Sequence, residues 1–201
     1  MSFLDSLTNP IKLYSRSEVM SKDCPVPKDR GLYSWFFKSI PPRVPTTGCV
    51  AKNGMTLLYV GISPEDEESK ANLRERIKTH FRGNAEGSTL RRTLGSLLKE
   101  QSGFPLRRVG SQKKTKRMTF THLGEQWLDA WMEKNAFVCW VTHEAPWEVE
   151  GEIFHNVSLP LNIEDNDHHG FVQELKSIRA EARSIAREMP IANEDKQQRS
   201  I

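Results

Sequence analysis

The chain has 201 residues, 37% of them hydrophobic and 27% charged, which is enough for one domain with its own core. Its apolar runs fall short of the roughly 18–20 residues that a bilayer span needs, and MSFLDSLTNP at the start lacks a signal-type pattern, so a cytoplasmic protein is expected. Three scattered cysteines, Cys24, Cys49 and Cys139, form no CxxC pair, which excludes a disulfide framework or a zinc cluster.

Residues 1–30 read as helical or irregular, an N-terminal extension over 1–29. GLYSWFF (31–37) predicts a first strand, bounded by a turn-rich linker with three prolines and two glycines. LLYVGIS (57–63) predicts a second strand, with Leu57, Leu58, Val60 and Ile62 as strand formers and Gly61 and Pro64 as stops. Leu73, Ile77 and Phe81, spaced i, i+4, i+8, predict a helix over 70–82. Ser88 or Thr89 caps the next helix, striped by Leu90, Leu94, Leu97 and Leu98. GFPLRRVGSQKKTKR reads as a basic loop and RMTFTHL (117–123) as a strand. An amphipathic helix follows at 125–135, then the strand AFVCWVTH (136–143). Pro146 suits the first turn of a short helix at 147–157, and LPLN (159–162) leaves it in extended form. An acidic loop, IEDNDHHG, leads to a final helix over 171–189, whose apolar stripe is a docking face onto the domain. Strands and helices mix without strict alternation, so the class is α+β around a small sheet.

The net charge of +3 conceals an asymmetry. Residues 70–117 carry fourteen Lys/Arg against three acids, a local +11 against −8 elsewhere. Clustered cations of one sign are what phosphate contacts require, so a nucleic acid or another polyphosphate is the expected partner. The candidate contacts are Arg74, Lys78, Arg82, Arg91, Arg92, Lys113, Lys114, Lys116 and Arg117, with SQKKTKR (111–117) as a flexible clamp.

Two helices carry chemistry near their apolar stripes. Arg76 and His80 lie one turn apart, bordering the Leu73/Ile77/Phe81 stripe. In PWEVEGEIFHNV the buried face is set by Ile153, Phe154 and Val157, and Glu150 lies on that face while Glu148 and Glu152 turn away. A carboxylate on an apolar face is costly unless it is paired or holds a metal, which favours Glu150. Helix ends shift by a few residues, which keeps Glu152 as the second candidate.

GLY (31–33), YVG (59–61), NLRERIKTH (72–80), a helical glutamate and PLN (160–162) resemble, in that order, the GIY-YIG nuclease family. The resemblance spans roughly residues 30–163, with 164–201 as an acidic loop and packing helix. It implies a three-stranded antiparallel sheet flanked by helices, here with extra strand and helix insertions. It also implies an endonuclease that cuts nucleic-acid phosphodiesters, DNA before RNA, with one divalent ion, Mg²⁺ or Mn²⁺. By position it gives catalytic roles to Tyr33, Tyr59, Arg76, His80 and Asn162, and the metal to Glu150. Leu32 and Val60 stand where the family has isoleucine, and the linker between the two motifs is long. The chemistry fits those residue types. Mg²⁺ keeps much of its hydration and needs few protein ligands, Arg76 offers a planar donor fork to a phosphate, and Tyr33 can act as base or orienter of the water. A guanidinium and a metal nearby would lower its pKa from near 10.

Overall fold

A computed structural model describes residues 2–110 and 117–194. Lys113, Lys114 and Lys116 lie outside the described residues, as does all of the basic clamp except Arg117. Two short helices, α1 (Phe3–Thr8) and α2 (Arg16–Met20), open the chain, each closed by a capping box, Ser2 with Asp5 and Ser15 with Glu18. The sheet follows, from β1 (Gly31–Phe37), β2 (Ala51–Lys52), β3 (Met55–Ser63) and the later β6 (Ala136–Thr142), in the antiparallel order β2-β3-β1-β6. The expected three strands are all present. The fourth, β2, forms where the turn-rich linker folds back through Asn53 and Gly54, both at positive φ.

β1 is buried along its whole length because it is central, with partners on both edges and helices on both faces. Tyr33, Trp35 and Phe37 point into the larger core; Leu32 and Phe36 point into the smaller one, against Leu7 of α1 and Ile153 and Phe154 further on. In β3 this alternation breaks. The β1–β3 register pairs Trp35 with Tyr59 but Phe36 with Leu57, leaving Leu58 unmatched in a β-bulge. Because side chains alternate with period two, the extra residue turns Tyr59 to the same face as Leu58, Tyr33 and Gly61.

The remaining helices cover that face. They are α3 (Leu73–Arg82), α4 (Thr89–Leu97), the one-turn α5 (Lys99–Ser102), α6 (Thr121–Asn135) and α8 (Val172–Glu188); α7 (Pro146–Asn156) covers the other. The strand expected at 117–123 is shorter than that. β5 (Arg117–Thr119) pairs with β4 (Arg107–Val109) in a separate hairpin, and α6 begins at Thr121. The break comes where Glu125 reaches back to accept the Phe120 N–H at 3.2 Å. α8 packs on α4 through Leu175, Ile178, Ala182 and Ala186.

Arg91 corrects the charge-based reading. It is fully buried, with Nε and Nη2 on Glu125 (3.0 and 2.7 Å) and Nη1 on Asp129 at 2.8 Å. Nη1 also donates to the carbonyls of His80 and Phe81, both at 3.2 Å. It is a core ion network, not a phosphate contact. Removing one partner of a buried charged network costs about 3–5 kcal/mol, so Arg91→Ala should lower the urea-unfolding free energy by that amount. Exposed Arg117→Ala should stay within about 0.5 kcal/mol.

Candidate active site

β1, β3, α3, α7 and the loop after α7 meet at a cleft of about 350 Å³. Tyr33, Tyr59, Gly61, Arg76, Glu150 and Asn162 all line it. Tyr33 lies across from Gly61 in the strand register, and its ring rests on that residue's backbone. A Cβ at Gly61 would come within 2.5 Å of the Tyr33 Oη, closer than any real contact. Gly31 is required for a similar reason, since its Cβ would lie 2.1 Å from the Val141 carbonyl.

The Tyr33 hydroxyl is 2.8 Å from His80 Nε2 and accepts from Arg76 Nε at 3.4 Å. Asn72 caps α3 by accepting the Glu75 N–H, and the helix then delivers Arg76 and His80 to one side, four residues apart. His80 does not merely border the core stripe; it is fully buried. Its Nδ1 is 2.7 Å from Ser88 Oγ, which also accepts the Arg91 N–H as N-cap of α4. Ser88 therefore orients the imidazole, a role its capping position in the sequence did not reveal. Two tautomers satisfy the chain. Either Ser88 donates to Nδ1 and Nε2–H donates to Tyr33, or both bonds reverse.

Burial decides the charges here. It lifts the Tyr33 phenol well above its usual range, helped by Tyr59, and the Arg76 guanidinium only partly offsets this. The expected lowering of the Tyr33 pKa is thus not met by the protein alone. Burial also raises Tyr59, against a hydrogen bond from Thr89. His80 is held well below its ordinary value by burial, then by Arg76 and Arg91, and stays neutral. Arg76 Nη2 faces exposed Glu65 at 3.4 Å.

Glu150 enters the cleft from α7, while Glu152 is exposed and outside it. Burial, followed by Asp165, Glu65 and Glu164, raises the Glu150 carboxyl to about 7. Among the described residues no set of three or more His, Cys, Asp or Glu gathers as a metal cage. A half-buried carboxylate in an open cleft that Glu65, Glu164 and Asp165 also line does fit a hydrated hard cation such as Mg²⁺. Asn162 is differently employed. Its amide accepts the Val60 N–H at 3.0 Å and donates to the Val60 carbonyl at 2.7 Å, while the Leu161 N–H bonds the Leu58 carbonyl at 3.0 Å. The loop thereby occupies the edge of β3 as a further strand would, and Asn162 positions the Tyr59 segment through its backbone.

Of the proposed phosphate contacts, several are already spent on the chain. Arg74 donates to the Val26 carbonyl at 2.6 Å and Arg92 to Ala85 at 2.9 Å. Arg107 and Arg108, other cations of the basic segment that were not among those candidates, bond carbonyls at the end of α8. Lys78 is half-buried, and Arg82, one turn on along α3, and Arg117 are exposed.

Gly61→Ala should cost about 1–3 kcal/mol by forcing Tyr33 aside. Gly151→Ala, in open space on α7, should instead stabilise by about 0.5–1 kcal/mol in the same urea titration. Glu150 gives a pH signature. The unfolded chain releases its proton near 4.5 and the folded chain near 7, so the folded state binds more protons between those values and loses stability as pH rises. In EDTA, Glu150→Gln should therefore raise stability by on the order of 2 kcal/mol at pH 8 and leave it unchanged at pH 4. Equal melting temperatures at pH 8 would contradict the burial of this carboxylate.

Searches among curated proteins and among solved structures returned no match to the chain. A family model, described as the GIY-YIG catalytic domain, matches residues 31–181. Its span takes in the whole cleft lining, from Tyr33 to Arg179. With most of its length under that match and an α+β fold to suit it, the chain belongs to the GIY-YIG family, whose domain points to nuclease activity on nucleic acid.

Proposed function

We propose that the protein is a metal-dependent endonuclease hydrolysing nucleic-acid phosphodiesters, DNA before RNA, with one Mg²⁺ or Mn²⁺ ion. The observation that carries this reading is the Tyr33 oxygen, bonded to His80 and Arg76 in a cleft that Glu150 also lines. Hydrolysis replaces one P–O bond by another, so a proton must leave the water and one must reach the departing oxygen. Tyr33, as its phenolate, is assigned the first task, and solvent water supplies the proton that the departing oxygen takes. With the Ser88 hydroxyl donating to Nδ1, the His80 Nε2–H and the Arg76 Nε–H both point at the Tyr33 oxygen. Two donors stabilise the phenolate that burial opposes, and a neutral imidazole suffices as one of them. Tyr59 borders Tyr33 and Arg76 and helps hold the water.

Arg76 binds the scissile phosphate, because its Nη2 faces an exposed carboxylate, Glu65, that an anion can replace. Glu150 holds the divalent ion, which when bound supplies positive charge for the non-bridging and departing oxygens. Asn162 keeps the β3 edge in place, and Lys78, Arg82 and Arg117 meet flanking phosphates, a task also assigned to Lys113, Lys114 and Lys116, which lie outside the described residues. A cytoplasmic setting suits the three free cysteines. No helix among the described residues is long and apolar enough to cross a membrane.

The test is cleavage of labelled DNA and RNA panels with Mg²⁺ or Mn²⁺, beside Glu150→Ala and Tyr33→Phe. Metal-dependent cutting is expected, with each variant slower by roughly 100-fold or more. Binding without cutting would replace the nuclease reading with a binding module. Full-rate cutting by Tyr33→Phe would remove the base role, and by Glu150→Ala the metal assignment.

A further inference from the structure

Arg179, in the middle of α8, lines the same cleft as Tyr33, Tyr59, Arg76 and Glu150. The sequence did not mark it, because it lies beyond the basic segment on a helix read as packing. Its Nε is buried without a hydrogen-bond partner among the described residues. The contrast with the other cations is informative. Arg91 is saturated by two carboxylates and three carbonyls, and Arg92 and Arg108 end on backbone carbonyls. Among the described residues Arg179 makes no ion pair. Burial, then Arg92 and Arg183, push its pKa down, and Glu164 and Tyr59 offset this only in part. A half-dry guanidinium without a counter-ion is costly, and an anion in the cleft relieves it. Tyr59 lies within electrostatic reach of both Arg76 and Arg179, so a second guanidinium serves the same tyrosine from another helix.

We propose that Arg179 is a second phosphate-binding arginine, holding a phosphodiester of the nucleic-acid strand beside the one bound by Arg76. The inference rests on the nucleic-acid reading of the cleft given above. It makes α8 part of the substrate site as well as a packing helix. A planar fork on a helix fixes the strand's direction through the cleft as well as its charge.

The test measures binding of fluorescein-labelled DNA and RNA strands against salt, without divalent metal, for Glu150→Gln and for Glu150→Gln with Arg179→Gln. Loss of one phosphate contact should reduce the slope of log K against log salt by about 0.7–0.9. In the Glu150 background-free chain, Arg179→Gln should cut the cleavage kcat/KM by roughly 10–100-fold. Arg179→Lys should keep the slope and recover part of the rate. The melting temperature of Arg179→Gln should not fall, since an unpaired buried charge is removed. An unchanged salt slope overturns the proposal, whatever the melting temperature does. If the native chain cuts and Arg179→Gln matches it, this inference fails alone. If nothing cuts but the slope still drops, the nuclease reading fails and the phosphate contact stands. Absence of binding by both chains removes both.

Discussion

A buried guanidinium is tolerated only when its donors are filled, and Arg91 meets that condition completely. Glu125 takes three of its N–H groups, two on its carboxylate and one on its own carbonyl, Asp129 takes a fourth, and the His80 and Phe81 carbonyls share the same nitrogen as Asp129. Those two carbonyls belong to the last turn of α3, where intrahelical partners run out. The network therefore fixes the helix end that carries His80. Arg16 adds a bond to the same Phe81 carbonyl and an ion pair to Asp129. Glu125 uses its other oxygen on the Ala85 and Phe120 N–H groups, holding the loop before Ser88 and the start of α6. Because the charge is costly to leave unpaired, these five segments are held to one arrangement, and Ser88 and His80 meet within it.

The sheet imposes the second constraint. Tyr33 can lie flat on β3 only because position 61 has no Cβ, and Tyr59 reaches the same face only because Leu58 is bulged out of register. β2 is two residues long and pairs with Met55 and Thr56, so the Leu58 carbonyl lies on an open stretch of the β3 edge and takes the loop that brings Asn162 to Val60. The bulge thus orients a tyrosine, and the open edge beside it anchors the loop whose acids, Asp165 and Glu164, add to burial in raising the Glu150 pKa. The cleft combines a carboxylate short of cations with a guanidinium short of anions. A metal ion and a phosphate bound together, as proposed, would satisfy both.

Charge along the chain is a poorer guide than charge in space. The +11 segment pointed to a polyanion, yet Arg91 is core, Arg107 and Arg108 cap α8, and Arg74 and Arg92 hold loops. Long cationic side chains have donors that any carbonyl can use, and counting them does not distinguish the two uses.

The sequence by itself determined the main elements, because hydrophobic period and capping residues act over a few positions. It determined the two strands with their glycines, the Arg76–His80 helix face and the preference for Glu150 over Glu152, each a matter of which side a residue takes on its own element. Motif order made the family legible for the same reason. Only the tertiary structure decided that Tyr33 bonds His80, that Ser88 orients it, that Asn162 closes a sheet edge and that Arg179 enters the cleft. Those pairings join residues up to 102 positions apart, and no local periodicity records which distant face a side chain will meet. The Tyr33 pKa was likewise beyond the sequence, since burial outweighs the neighbouring guanidinium only once the core has closed around the ring.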